Sequence, residues 1–300
     1  MLFLPHLLLL AALFQTGPAQ AQPSARTVLA SQFAKLAVPA VGRVGVAATL
    51  VETGETVSLA GAERFPMQSV FKLPIALAVI HEVEQGRFRW SQPVRLMPAD
   101  MRGGHSPLHD QHPQGIELTL QELIRYMVTE SDNSACDKLL SLLGGPAAVT
   151  RYLRTLGLTQ VVVATTEGGM AQDELAQYRN WATPVGMNQL LVVLHKGRTL
   201  QPANRALLLG YLTSTPRGQK RLKGRLPAGT VVAHKTGASG THDGLTRATN
   251  DVGLITLPNG RHLAMSVFIA DSKASEAVRE DVIAQAAQVA YRYWSNSTKP

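Results

Sequence analysis

The sequence predicts an α/β protein of the α+β type: an antiparallel sheet flanked by terminal helices, with an all-helical subdomain inserted between its strands. Three observations predict it. Segments with β-branched or alternating apolar residues stand near the start (VGRVGVAATLVE, ETVSLAG) and again late (GTVVAHKTG, TNDVGLITLPNG, RHLAMSVFIAD). Between them, from Ser69 to about residue 210, the apolar spacing is helical. A long segment, SEAVREDVIAQAAQVAYRYW, then closes the chain with helical spacing.

In chain order, residues 1–21 have the form of an export signal. An apolar run from Leu7 to Phe14 is followed by Gly17, Pro18 and the small-x-small site Ala19-Gln20-Ala21, although the n-region carries only His6 in place of Lys or Arg. The run is shorter than the roughly 18 apolar residues of a membrane span, and no Cys follows for lipid attachment. Cleavage after Ala21 would leave a mature protein with no membrane contact, periplasmic or secreted. ARTVLASQFAKLA (25–37) has amphipathic helical spacing, and Thr53-Gly54 marks a hairpin between the first two strands. LTLQELIRYMVTES starts with Thr119 and has Glu122 three residues later, a capping box. DKLLSLLG stops at Gly144-Gly145 and GPAAVTRYLRTLG at Gly157. TPVGMNQLLVVLHKG carries Pro184 in its first turn, ANRALLLGYLTST reads as a further helix, and Pro258-Asn259-Gly260 turns the last two strands. No glycine-rich linker interrupts the pattern. Residues 22–300 are therefore expected to form a single domain, with 22–66 and 213–300 as the sheet part, 67–212 as the helical part and a cleft between them. The stretches 91–118 and 160–183 read as long loops lining that cleft.

Composition narrows the function. The chain has 29 Lys and Arg against 21 Asp and Glu, a formal charge of +8, which favours anionic ligands. The one dense basic run, RGQKRLKGR at 217–225, lacks interleaved aromatics and accompanies no nucleic-acid motif, so no nucleic-acid partner is expected. The single cysteine, Cys136, allows no internal disulfide and reads as a packed thiol. HSPLHDQH offers His105, His109 and His112 in a Pro-bearing loop, but nothing in the spacing makes them converge; no metal or other cofactor is expected.

One apolar stretch, MQSVFKLPIALAVI (67–80), holds a serine and, three residues on, a lysine. A helix built here is mostly buried, and a buried ammonium needs a partner or a lowered pKa. A lysine snorkelling out of a core helix would explain it, as would a serine nucleophile beside its proton acceptor. Ser69-x-x-Lys72 alone is weak, since about one such match arises by chance in a chain this long. Ser131-Asp132-Asn133 lies between two helices, and Lys235-Thr236-Gly237 ends a strand. Taken singly, the first reads more readily as a helix cap and the second as a strand-end turn. All three together, in this order, are hard to obtain by accident.

With these motifs the chain resembles the class A serine β-lactamases, whose signature is S-x-x-K, S-D-N and K-T-G. The likeness runs from about residue 25 to 294 and is strongest to the PER/VEB-like extended-spectrum branch, in TESDNSACD, DELAQYRNWATP, RLKGRLPAGTVVAHKTGASG and TNDVGLITLPNGR. The resemblance implies a β-lactamase/transpeptidase-like fold and hydrolysis of a β-lactam amide through an acyl-enzyme, hence β-lactam resistance, in a monomer. It makes Ser69 the nucleophile, with Lys72 as proton acceptor or electrostatic support near Asn133. Ser131 would relay a proton to the leaving nitrogen, Lys235 and Thr236 would hold the substrate carboxylate, and the backbone N–H groups of Ser69 and Ala238 would form the oxyanion hole. For the deacylating base the candidates are Glu167 and Glu174. Spacing favours Glu167, 36 residues after Ser131 and 68 before Lys235, as the family pattern requires. Arg221 is placed to give a second carboxylate contact, with Arg247 and Arg279 as lesser candidates.

The departures from the family pattern are informative. Ala171 stands where an asparagine usually helps to hold the hydrolytic water, and Thr165 replaces the usual arginine, so the loop is expected to be re-routed. His105 takes the place of an aromatic at the cleft entrance, and Ser239 matches extended-spectrum members, implying room for oxyimino cephalosporins. Gln68 is not Cys, so the disulfide of carbapenem-hydrolysing members is absent. The alternative reading is a penicillin-binding or sensor protein that is acylated but does not turn over.

Overall fold

The computed structural model describes residues 24–296; the expected signal at 1–21 lies outside them. Chain order runs from helix α1 (Ala25–Ala37) into strands β1 (Arg43–Leu50), β2 (Thr56–Leu59) and β3 (Phe65–Pro66). Helix α2 (Lys72–Glu84) is followed by β4 (Pro93–Leu96), α3 (Pro107–Gln111), β5 (Ile116–Thr119), α4 (Leu120–Arg125), α5 (Asn133–Leu143) and α6 (Pro146–Thr155). Then come β6 (Val161–Val162), α7 (Glu167–Gln172), β7 (Trp181–Ala182), α8 (Pro184–His195) and α9 (Pro202–Ser214). The chain closes with β8 (Val232–Ala238), β9 (Thr241–His242), β10 (Leu245–Thr256), β11 (His262–Ser272) and α10 (Glu276–Ser295).

The main sheet has the order β2-β1-β11-β10-β8, with β9 paired to β10, and every pairing is antiparallel. An antiparallel strand commonly keeps one face in water and alternates. Here β10 and β11 are buried along nearly their whole length, because both faces are covered, which is why their sequences read as almost continuous apolar runs. One face supplies Leu263, Met265, Val267 and Ile269 to a core closed by Leu29 and Phe33 of α1 and by Ile283 and Trp294 of α10. The other gives Ala264, Phe268 and Ala270 to a larger core built around α2, whose residues from Lys72 to Ile80 are all buried. A helix apolar on all sides belongs at the centre of such a core.

Two expectations change in detail. The helix anticipated from Ser69 begins at Lys72; Ser69 lies on a preceding 3₁₀ turn, Gln68–Phe71. Residues three apart eclipse on a 3₁₀ turn, so Ser69 and Lys72 still face one another, and Pro74, third in α2, falls where its missing N–H has no helical partner to lose. The stretches 91–118 and 160–183 are not bare loops. The first folds into the β4–β5 hairpin and α3, the second into β6, α7 and β7. β6 and β7, of two residues each, are too short to show periodicity.

Candidate active site

The cleft opens where β8 meets the 3₁₀ turn of Ser69, a cavity of about 500 Å³ bordered by Ser69, His105, Ser131, Arg217, Thr236 and Ala238 among others. Depressions of similar volume elsewhere, one beside Arg64 and Trp181 and one beside Lys220 and Arg225, contain none of the three motifs.

Close approach of strand and turn sets the site. A Cβ at Gly237 would stand 2.4 Å from the Met67 carbonyl and 3.1 Å from the Ser69 nitrogen, so only glycine lets β8 run this near the nucleophile. From the neighbouring strand, the Asn250 amide donates to the carbonyls of Pro66 and Met67 at 2.8 and 3.0 Å. Gln68 is held at φ +45°, a conformation costing of order 1–3 kcal/mol that surrounding contacts must enforce. Its side chain is fixed by a 2.7 Å donation to Gln177.

Lys72 is fully buried and joins the motifs. Its Nζ donates to Ser69 Oγ at 3.0 Å, to the Ser131 carbonyl at 2.7 Å and to Asn133 Oδ1 at 2.7 Å, and pairs with Glu167 Oε1 at 2.8 Å. An ammonium has three protons, and the first three oxygens take them; Glu167 Oε1, which has no hydrogen-bond partner among the described residues, is held beside Lys72 by charge. Ser131 is delivered by a π-helical turn, Tyr126–Glu130, and sits in the left-handed region at φ 64°; π turns of this kind recur at functional sites. Lys235 Nζ donates to Ser131 Oγ at 2.9 Å and to the Thr236 carbonyl at 3.2 Å. Burial, with the Lys72 ammonium nearby, pushes the Lys235 pKa down to about 7. Asp132, the middle residue of its motif, is turned away from the cleft and caps α5 at Ala135 N–H while accepting from Ser106 and Leu108.

Of the two candidate glutamates, Glu167 reaches Lys72, whereas Glu174 is exposed and paired with Arg247 at 2.6 Å. The loop carrying Glu167 is anchored by groups that sequence reasoning did not single out. Asp137, one and a half turns along α5 from the Ser-Asp-Asn motif, accepts from the N–H groups of Glu167 (2.7 Å) and Gly168 (3.0 Å) and from Arg102 (2.8 Å). Asn180 Oδ1 accepts from Ala164 and Thr165 N–H at 2.7 and 2.9 Å, and its amide donates to the Thr165 carbonyl. Ala171 is exposed on α7.

The remaining candidates are distributed unevenly. Arg221 borders the cleft, but its guanidinium donates to Glu280 (3.1 Å) and to the carbonyls of Gly237 and Asn250 (3.3 and 3.0 Å). Arg279 is buried against Thr249. Neither Arg247 nor Arg279 borders the cavity. Ser239 Oγ accepts from Ala248 N–H at 3.0 Å and so is occupied by the sheet. His105 is at the cleft mouth, bonded to the Glu130 carbonyl at 2.7 Å and to Arg217. Arg217 was visible in the sequence only as the first residue of a basic run. The buried Cys136 thiol has its pKa raised by burial, which leaves it inert.

A buried lysine joining a serine hydroxyl to a carboxylate, with a second lysine on another serine, defines an acyl-transfer site of the serine-hydrolase type. Residues 28–294 match the model of the β-lactamase enzyme family, and the chain belongs to that family. It is 40% identical over 257 residues to β-lactamase VEB-1 of Pseudomonas aeruginosa, covering 85% of this chain and 86% of that one. It is also 40% identical over 269 residues to the extended-spectrum β-lactamase PER-1 of the same species, covering 89% and 87%. A crystal structure of a β-lactamase from Chitinophaga pinensis superposes with a TM-score of 0.86 at 42% identity, covering 88% of this chain and 98% of the other. The expected fold class and the likeness to the PER/VEB-like branch are thus borne out.

Proposed function

We propose that this protein hydrolyses the amide of penicillins and cephalosporins, oxyimino cephalosporins included, through an acyl-enzyme on Ser69, and so confers β-lactam resistance. The observation that carries the reading is Lys72 standing between Ser69 and Glu167. Because the three protons of Lys72 are directed at Ser69 Oγ, the Ser131 carbonyl and Asn133 Oδ1, Lys72 gains a lone pair for the Ser69 proton by passing one to its ion-pair partner Glu167, 2.8 Å away. Ser69 Oγ then forms the ester bond as the lactam C–N bond breaks, with the developing oxyanion received by the N–H groups of Ser69 and Ala238. Ser131 gives its proton to the leaving nitrogen and is reprotonated through the lysines. The net transfer is one proton from Ser69 to nitrogen, which leaves Glu167 a carboxylate again. It then removes a proton from water as that water attacks the ester; the C–Oγ bond breaks, and the proton passes through Lys72 to Ser69 Oγ, which restores the free serine and the Glu167 carboxylate.

Lys235 and Thr236 hold the substrate carboxylate. Arg221 supports them chiefly by tying β8 to Glu280, and Arg217 is the cleft arginine best placed for a second carboxylate contact. Asn133 and His105 bound the side-chain end, and the catalysis uses no metal or other cofactor. The mature protein is a single domain, monomeric, exported after cleavage behind Ala21 and free of the membrane; among the described residues no helix is long and apolar enough to cross one.

The test is a pre-steady-state run with a chromogenic cephalosporin in excess. Many equivalents of colour are expected, and Glu167→Ala should trap one acyl group on Ser69 with turnover down by about 10²–10⁴. A single stoichiometric burst from the unaltered protein would make it a penicillin-binding or sensor protein instead. Undiminished turnover by Glu167→Ala would move the base elsewhere.

A further inference from the structure

One grouping of ligand-type side chains has no part in the chemistry above. Among the described residues, Glu52, His195 and His262 are the single set of three that brings one ligand atom each within 4.8 Å of the others. Separate elements supply them: Glu52 follows β1, His262 opens β11 and His195 ends α8. His262 Nδ1 is 3.0 Å from Glu52 Oε1, and the His262 backbone N–H donates to both oxygens of the same carboxylate. The His195 ring lies across that of His262, with centroids 4.1 Å apart. None of the three borders the cleft, and His105, His109 and His112 form no comparable set.

We propose that Glu52, His195 and His262 bind a divalent transition-metal ion of the zinc class, at a surface site that ties α8 to the end of the β1–β11 strand pair and takes no part in β-lactam hydrolysis. Two imidazoles and a carboxylate form a zinc donor set, with a fourth position left for water. Bonds of about 2.0–2.1 Å give a tetrahedral shell whose edges are about 3.3 Å. The Glu52–His262 contact is already near that edge, so the ion takes the place of the proton they share. From the 4.8 Å limit, His195 has to close by no more than about 1.5 Å to meet such an edge, which side-chain rotation at the end of a helix accomplishes. Lys196 and Arg205 bear on His195 electrostatically. One carboxylate against two cations gives little hold on magnesium or calcium, which oxygen ligands and charge must bind, whereas imidazole nitrogens select zinc, nickel or copper.

The untagged mature protein, stripped with a chelator, is titrated with Zn²⁺ by calorimetry and with Co²⁺ by its visible absorption. Saturable binding of one ion per chain is expected, with a rise in thermal midpoint on adding zinc. Loss of an outer-shell partner alone costs 10–100-fold in affinity at such sites, so His195→Gln and His262→Gln should each weaken binding about tenfold or more. His109→Gln should leave it unchanged, and circular dichroism verifies that each variant is folded. Undiminished affinity in the folded double variant, loss of binding in His109→Gln, or no saturable binding by the unaltered protein would each overturn the assignment.

Discussion

Lys235 is 2% exposed, wedged between β8 and the Ser131 hydroxyl. Burial and the Lys72 ammonium bring its pKa to about 7, from an ordinary 10.5, against the opposing pull of Asp251 and Glu167. The free protein therefore loses the Lys235 charge as pH rises through about 7, and with it the attraction for a substrate carboxylate. The expected result is a kcat/KM that falls on the alkaline side with an apparent pKa near 7, about tenfold per pH unit once the limb is established. Lys235→Arg, whose guanidinium stays charged throughout, should carry that limb to higher pH. A flat profile to pH 9 in both forms would show that this charge does not govern binding. The same depressed pKa has the opposite sign for stability. Below pH 7 Lys235 is charged in the folded and unfolded chain alike and its burial opposes folding; that opposition is relieved as pH climbs from about 7 toward 10.5.

At the scale of elements, the hold on Glu167 comes from α5. Asp137 accepts the two N–H groups that open α7 and is itself paired to Arg102, so it fixes the carboxylate without touching Ser69. Asp137→Ala should slow deacylation far more than acylation, with the acyl-enzyme accumulating in rapid-quench mass spectra and thermal stability falling by about 1–3 kcal/mol for the bonds left unmade. Equal loss in both half-reactions would mean that Asp137 shapes the whole cleft instead. Such anchoring was not legible in the sequence. Ser69, Lys72, Ser131, Asn133 and Lys235 stand in short motifs whose spacing is the chemistry, and the strand and helix periods that carry them are long enough to read. Asp137 and Asn180 act by accepting backbone N–H groups from residues 15 to 31 positions away, and a side chain's backbone partner leaves no mark in composition. Arg217 and Arg221 lay in plain view in a basic run, yet only the turn of the chain between α9 and β8 brings that run to the cleft. The short strands β3, β6 and β7 escaped for a different reason: two residues cannot show a period.

The molecule as a whole carries +8, from 29 basic and 21 acidic side chains, and the expected signal contributes none of it. Lys235 and Arg217 stand in or beside the cleft, which Glu276 also lines, while Lys72 is paired with Glu167 at 2.8 Å and Arg221 with Glu280 at 3.1 Å. Field lines from a basic molecule concentrate in such a recess and raise the local concentration of an anionic substrate. The Debye length shortens from about 30 Å at 0.01 M salt to about 8 Å at 0.15 M, so only charges lining the cleft still act at the higher value. For a cephalosporin with two carboxylates, kcat/KM should fall roughly threefold or more across that range, within what electrostatic focusing can supply. A zwitterionic cephalosporin should change much less, because its ammonium offsets the gain. Arg217→Ala should lower kcat/KM for the dianion at both salt concentrations and leave most of its salt response in place, since it removes one cleft charge and leaves the remote ones, which the salt screens, untouched. An equal salt response for both substrates would place the recognition of anions in short contacts at Lys235 and Thr236 alone, with the net charge serving no role in capture.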